Sequence, residues 1–144
     1  MTEAFSSTTT VAAAPERVWA TITDWSKAPE WMPGTSSFRL EGALRPGAVL
    51  HYTARGKERT STVTDVVTNS SLTLESTVGK VHAAYTYVLS PVAGGTRVDL
   101  SADVRTSGAM RLLDGVIRRA IAKEDSSQLD RLKPLIEQHR VADF

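Results

Sequence analysis

The sequence predicts an α+β domain: an antiparallel sheet of about seven strands covered by a long C-terminal helix, with two short helices after the first strand. Three observations carry this. The hydrophobic period lengthens from two residues to that of a helix at Pro15. Between Ser36 and about Arg105, six short segments alternate apolar and polar residues and are separated by turn signals. After Ser107, the residues Met110, Leu113, Ile117, Ala120, Ile121, Leu132, Leu135 and Ile136 recur at helical spacing.

The first strand is Ala4 to Val11, rich in threonine with apolar ends. A helix follows: Pro15 suits its first position, Glu16 its first turn, and Val18, Trp19 and Ile22 share one face. Pro29 and Pro33 keep it short and leave room for one more turn or two near Ser26 to Trp31. The second strand sets Phe38 and Leu40 against Arg39 and Glu41, and Leu44 to Gly47 forms a turn. Four more strands follow, separated by turns at Gly56–Lys57, at residues 69–71 and at Gly79–Lys80. In the fourth strand, Val63 and Val66 share a face only if a bulge intervenes, so the facing of Asp65 stays open. The last hairpin turns at Gly94–Gly95. Its second strand places Thr96, Val98, Leu100 and Ala102 on one face, and Arg97, Asp99, Ser101 and Asp103 on the other. That alternation means one covered and one wet face. A single straight helix over 108–139 would be about 48 Å long, well beyond a domain with a radius of gyration near 15 Å. Pro134 is the expected place for a kink.

Residues 1–144 are read as one domain, with no repeat or linker. Seventeen Lys and Arg against sixteen Asp and Glu give a net charge of +1, which argues against a nucleic-acid partner. The absence of cysteine excludes disulfides, thiol catalysis and thiolate metal sites. His51, His82 and His139 are too scattered for a metal motif, so neither metal nor cofactor is expected. No apolar run is long enough for stable membrane insertion, and the N-terminus lacks the features of a signal peptide. The expectation is a cytoplasmic monomer or homodimer. From Ile117 to Lys133, basic and acidic residues interleave three or four apart, which reads as an exposed helix face rather than a basic patch.

All three tryptophans stand between positions 19 and 31. Trp19 belongs to the apolar face of the first helix and reads as core. Trp25 reads as a cap where the two short helices meet.

Four stretches together resemble the START-like, Bet v 1-like superfamily, in particular its bacterial polyketide cyclase/dehydratase and lipid transport branch. They are AAPERVWATITDWSKAPEWMPG, LRPGAVLHY, YTYVLSPVAGGTRVDLSADV and the Ala109–Leu135 helix. The resemblance implies a helix-grip fold, in which a curved sheet wraps the last helix around a hydrophobic cavity. It places Trp31 near the cavity mouth as the tryptophan for ligand contact. With the strand phases it gives a wall of Trp31, Phe38, Leu40, Tyr52, Tyr85, Tyr87, Leu100, Met110, Leu113 and Ile117. Tyr85 and Tyr87 either offer hydroxyls to a ligand or simply pack their rings. His82 has the outward phase and His139 is expected in water. The sequence leaves open whether His51, Asp65 or Glu124 faces the pocket; Gln128 continues the Glu124 stripe. No nucleophile, paired carboxylate or phosphate loop specifies a reaction. The leading function is binding of a small hydrophobic or aromatic molecule. The alternatives are a polyketide cyclase or aromatase acting on a poly-β-ketone, and an interaction module using the outer face of the sheet.

Overall fold

A computed structural model describes residues 2–142, with side chains through Gln138; the expectation for the His139 side chain lies outside the described residues. Seven strands, β1 (Thr2–Val11), β2 (Thr35–Leu40), β3 (Val49–Ala54), β4 (Lys57–Val67), β5 (Ser71–Val78), β6 (Val81–Val92) and β7 (Gly95–Thr106), form one sheet. Its order is β1-β7-β6-β5-β4-β3-β2, and every neighbouring pair is antiparallel. Helices α1 (Pro15–Ile22) and α2 (Ala28–Trp31) carry the chain from one sheet edge to the other. After β7 come a 3₁₀ turn (Gly108–Leu113), α3 (Asp114–Asp125) and α4 (Gln128–Ala142). This is the Bet v 1-like helix-grip architecture.

Local chemistry explains the joints. Pro15 opens α1, where its missing N–H costs nothing, and Val18, Trp19 and Ile22 are buried. The end of β1 passes so close to β7 that a Cβ on Gly95 would lie 2.0 Å from the Val11 carbonyl oxygen. Only glycine permits that approach, and the buried Thr96 hydroxyl then donates to the Ala13 carbonyl at 2.7 Å. In β7 the phase is as expected: Val98, Leu100 and Ala102 are buried, Arg97 is exposed, and Asp99 and Asp103 are half-buried. The register of β4 against β5 shifts between Val63 and Asp65. That bulge turns both Val63 and Val66 toward the core and leaves Asp65 exposed.

The C-terminal segment differs from a helix beginning at Ser107. Ser107 precedes a 3₁₀ turn, and α3 starts only at Asp114. The interruption falls at Ser126 and Ser127, while Pro134 sits inside α4. Serine hydroxyls compete for backbone partners and weaken a helix interior, so a serine pair is a natural break. Leu129, Leu132 and Ile136 of α4 are fully buried, whereas α3 contributes no fully buried residue. The core therefore lies beneath α4, and α3 spans something emptier.

Candidate functional site: a polar-studded cavity under the C-terminal helices

A cavity of about 220 Å³ lies between the concave side of the sheet and the C-terminal segment. Strand alternation builds its wall: Leu50 and Tyr52 from β3, Ser61 from β4, Leu74 and Ser76 from β5, and Val81, Ala83, Tyr85 and Tyr87 from β6. Met32 and Pro33 enter from just past α2, Thr35 and Phe38 from β2, while Ile121, Asp125 and Gln128 close the helical side. Small residues at Ala54, Ser61, Ser76 and Ala83 leave the space that larger side chains would fill.

Three polar pairs stand in this apolar surround. The Tyr52 and Ser61 hydroxyls are 3.1 Å apart. The Tyr85 hydroxyl donates a short hydrogen bond to the Asp125 carboxylate. The buried Tyr87 hydroxyl donates to Gln128 Oε1 at 2.6 Å. Gln128 in turn hydrogen-bonds Asp125, so both tyrosines and the carboxylate form one network. Burial raises the Asp125 carboxyl above its ordinary range; hydrogen bonds from Tyr85 and Gln128 and the Arg55 charge oppose this, and Glu124 adds to it. Burial, reinforced by Asp125, also raises both Tyr85 and Tyr87, keeping them protonated as donors.

Aromatic rings brace the wall. Phe38 stacks on Tyr52 with centroids 5.1 Å apart, and Trp25 stacks on Phe38 at 6.4 Å. Phe5 meets Tyr85 edge-on at 6.2 Å. At the rim, Arg55 holds a left-handed φ of 51° before Gly56, in a two-residue hairpin turn where Asn or Gly is usual. Arg55 lines the cavity, and its guanidinium reaches Glu124 at 3.1 Å.

Four of the ten expected wall residues line this cavity: Phe38, Tyr52, Tyr85 and Tyr87. The other six do not. Trp31 is fully buried behind Tyr87, which it meets edge-on at 5.7 Å; its neighbours Met32 and Pro33 reach the cavity instead. Leu100 is part of the buried core, and the half-buried Leu40 packs against it. Met110, Leu113 and Ile117 miss because the 3₁₀ turn changes the angular phase before α3 begins, and Leu113 is exposed. The stripe that does face the cavity is Ile121, Asp125 and Gln128. Glu124, which the sequence left open together with His51 and Asp65, turns outward to Arg55, and Asp125 enters the cavity. The signal that could have found Asp125 was the i+4 step from Ile121 followed by i+3 to Gln128.

His51 and His82 both lie off the cavity. His51 approaches Glu41 at 3.2 Å, and His82 lies between Glu75 and Thr77 at 2.7 Å from each. A second depression, near 650 Å³, is lined chiefly by polar groups such as Arg39, His51, Glu58 and Arg59, so it offers an apolar solute little desolvation. Among the described residues no cluster of three or more His, Asp or Glu side chains could hold a metal.

A curved sheet closed by a C-terminal helical segment over a hydroxyl-bearing apolar cavity defines a helix-grip pocket protein. The chain belongs to the polyketide cyclase/dehydrase and lipid transport family, whose model matches residues 2–137. Among solved structures it is similar to the di-domain ARO/CYC StfQ from the steffimycin biosynthetic pathway, with 13% identity and a TM-score of 0.74, covering 94% of this chain and 51% of that one. It spans about half the length of that protein. It is also similar to norcoclaurine synthase from Thalictrum flavum, seen as a point mutant with a transition-state analogue: 14% identity, TM-score 0.71, 94% of each chain covered. The protein TTHA0849 from Thermus thermophilus matches at 18% identity and TM-score 0.72 over 93% of this chain and 97% of that one. At such identities these likenesses establish the fold alone. No curated protein sequence matches this one.

Proposed function

We propose that the cavity binds a small hydrophobic or aromatic molecule bearing hydroxyl or carbonyl groups. The observation that carries this is a largely apolar wall in which the pairs Tyr52–Ser61, Tyr85–Asp125 and Tyr87–Gln128 present hydrogen-bonding atoms. Apolar walls supply affinity, and a few placed polar groups supply orientation. A cavity near 220 Å³ limits the ligand to a compact ring system. The decisive experiment is native mass spectrometry of gently purified protein, followed by titration with phenolic and ketone-bearing aromatics. Ala83→Leu, which fills the cavity from β6, abolishes binding without unfolding the protein. Undiminished binding in that variant would move the site elsewhere.

A second reading, cyclase or dehydratase chemistry, is favoured by one feature: a carboxyl with a raised pKa inside the cavity, hydrogen-bonded to a tyrosine. In that reading Asp125 takes a proton from the carbon beside a substrate carbonyl, and a tyrosine hydroxyl donates to the developing enolate oxygen. The protonated Asp125 then returns the proton to a departing hydroxyl as water leaves. Turnover of a β-ketone substrate that disappears in Asp125→Asn while binding persists supports catalysis; equal turnover in both proteins removes it.

A further inference from the structure

We propose that the 3₁₀ turn and α3 form a docking face for an anionic lipid surface, beside the mouth of the cavity. Two independent features carry it. The first is apolar exposure on a segment that buries nothing fully: Leu112 is 91% exposed, Val116 62% and Leu113 47%. Leu112 and Leu113 end the 3₁₀ turn and Val116 follows in the first turn of α3, so the three exposed side chains cluster at the junction of the two elements.

The second is charge. Residues 105–123 contain Arg105, Arg111, Arg118, Arg119 and Lys123 against one acid, Asp114, giving five minus one, or +4, in a chain whose net charge is only +1. Three acids in or beside this segment already have partners within the protein. Asp114 accepts from Arg118 at 2.7 Å and from Thr106 at 3.0 Å. Glu124 pairs with Arg55, and Asp125 accepts from Tyr85. Arg111, Arg119 and Lys123 form no ion pair with the described residues. Free cations around projecting aliphatic side chains match an anionic headgroup layer over acyl chains. A second copy of this chain would bring the same +4 against itself, which disfavours a symmetric dimer through this face.

The face is continuous with the cavity. Ile121 and Asp125 of α3 line it, as does Val78, which is itself exposed at the β5–β6 tip, and the adjacent Lys80 carbonyl accepts from the Ser107 N–H. The attachment is peripheral; no described helix is long and apolar enough to cross a membrane.

The test is flotation of the intact protein with vesicles of neutral phosphatidylcholine, alone or mixed with phosphatidylglycerol. Binding to the mixed vesicles is expected, with little to the neutral ones, and it weakens as salt rises. Arg111→Glu with Arg119→Glu lowers the partition at least about tenfold. Leu112→Ser with Val116→Ser also lowers it while leaving the thermal midpoint unchanged, since these side chains are already in water. No flotation with anionic vesicles, or flotation indifferent to both double variants, overturns the proposal. So does light scattering showing a dimer that Leu112→Ser with Val116→Ser dissociates, because the face would then belong to a second copy. Ligand titration without vesicles is unaffected by these variants, so failure here and failure of the cavity reading are separable.

Discussion

The Tyr85 hydroxyl donates to the Asp125 carboxylate, joining the middle of β6 to the last residue of α3. With the Tyr87–Gln128 bond beside it, this tie secures the helical break at Ser126–Ser127 to the sheet across the cavity. Tyr85→Phe keeps the ring but removes the donor to a buried carboxyl. The expected loss is about 1–2 kcal/mol in urea unfolding, with the Asp125 pKa moving further up. An unchanged unfolding midpoint would mean that the tie contributes nothing to holding α3.

The pH dependence follows from Asp125. Its folded pKa lies above the unfolded value because burial disfavours the charge. The neutral form is therefore the one the fold prefers. Its contribution is intact below the unfolded carboxylate range, near 3.9, and is lost as pH rises through the folded pKa. Asp125→Asn removes this slope, so its thermal midpoint gains on that of the wild-type protein through that window and holds a constant lead above it. Glu75 has the opposite sign: hydrogen bonds from Thr64 and then His82 lower its pKa, so its contribution disappears on acidification. Parallel melting curves for wild type and Asp125→Asn at every pH would contradict the assignment.

Ligand binding has two optical reporters. Trp31 touches Tyr87 edge-on, and Trp25 reaches the cavity through the Phe38–Tyr52 stack. Trp19 is buried in α1 and does not line the cavity. The fluorescence change on binding is expected to fall in both Trp25→Phe and Trp31→Phe and to survive in Trp19→Phe. Loss of the signal in Trp19→Phe alone would place the ligand on the wrong side of α1.

Gly95 is where the fold is least forgiving. The Ala methyl of Gly95→Ala has no room beside the Val11 carbonyl, so β1 must part from β7. The expected cost is about 3 kcal/mol, read as a lower urea midpoint with early exchange of the β1 amides. A stability within about 0.5 kcal/mol of wild type would show that β1 adjusts freely.

Arg55 tests whether the rim is built for function or for stability. A non-glycine residue at φ 51° is strained, and its pair with the half-exposed Glu124 is weak by solvent screening. Arg55→Gly is therefore expected to leave stability unchanged or raise it by roughly 1 kcal/mol, while altering ligand affinity at the rim. A clear loss of stability would make Arg55 a structural anchor.

The strands were legible because one wet face forces alternation, and β7 shows it residue by residue from Thr96 to Asp103. The spacing of Val63 and Val66 left a bulge in β4 open, and the register shift against β5 decided it. Tyr85 and Tyr87 could be assigned inward for the same reason, since strand phase is local and survives folding. What the sequence could not decide was how the C-terminal stripe meets the sheet. A 3₁₀ turn ahead of α3 and a break at Ser126–Ser127 rotate the inward face away from Met110, Leu113, Ile117 and Glu124 and toward Ile121, Asp125 and Gln128. Helical phase accumulates along the chain, so a small local change in turn geometry displaces every residue after it. Trp31 likewise sits one layer deeper than its position suggested, because Tyr87 occupies the space in front of it. The sequence by itself determined the sheet, its faces and the two inward tyrosines. Only the tertiary structure decided which carboxylate meets them, because that depends on the packing of two segments forty residues apart in sequence.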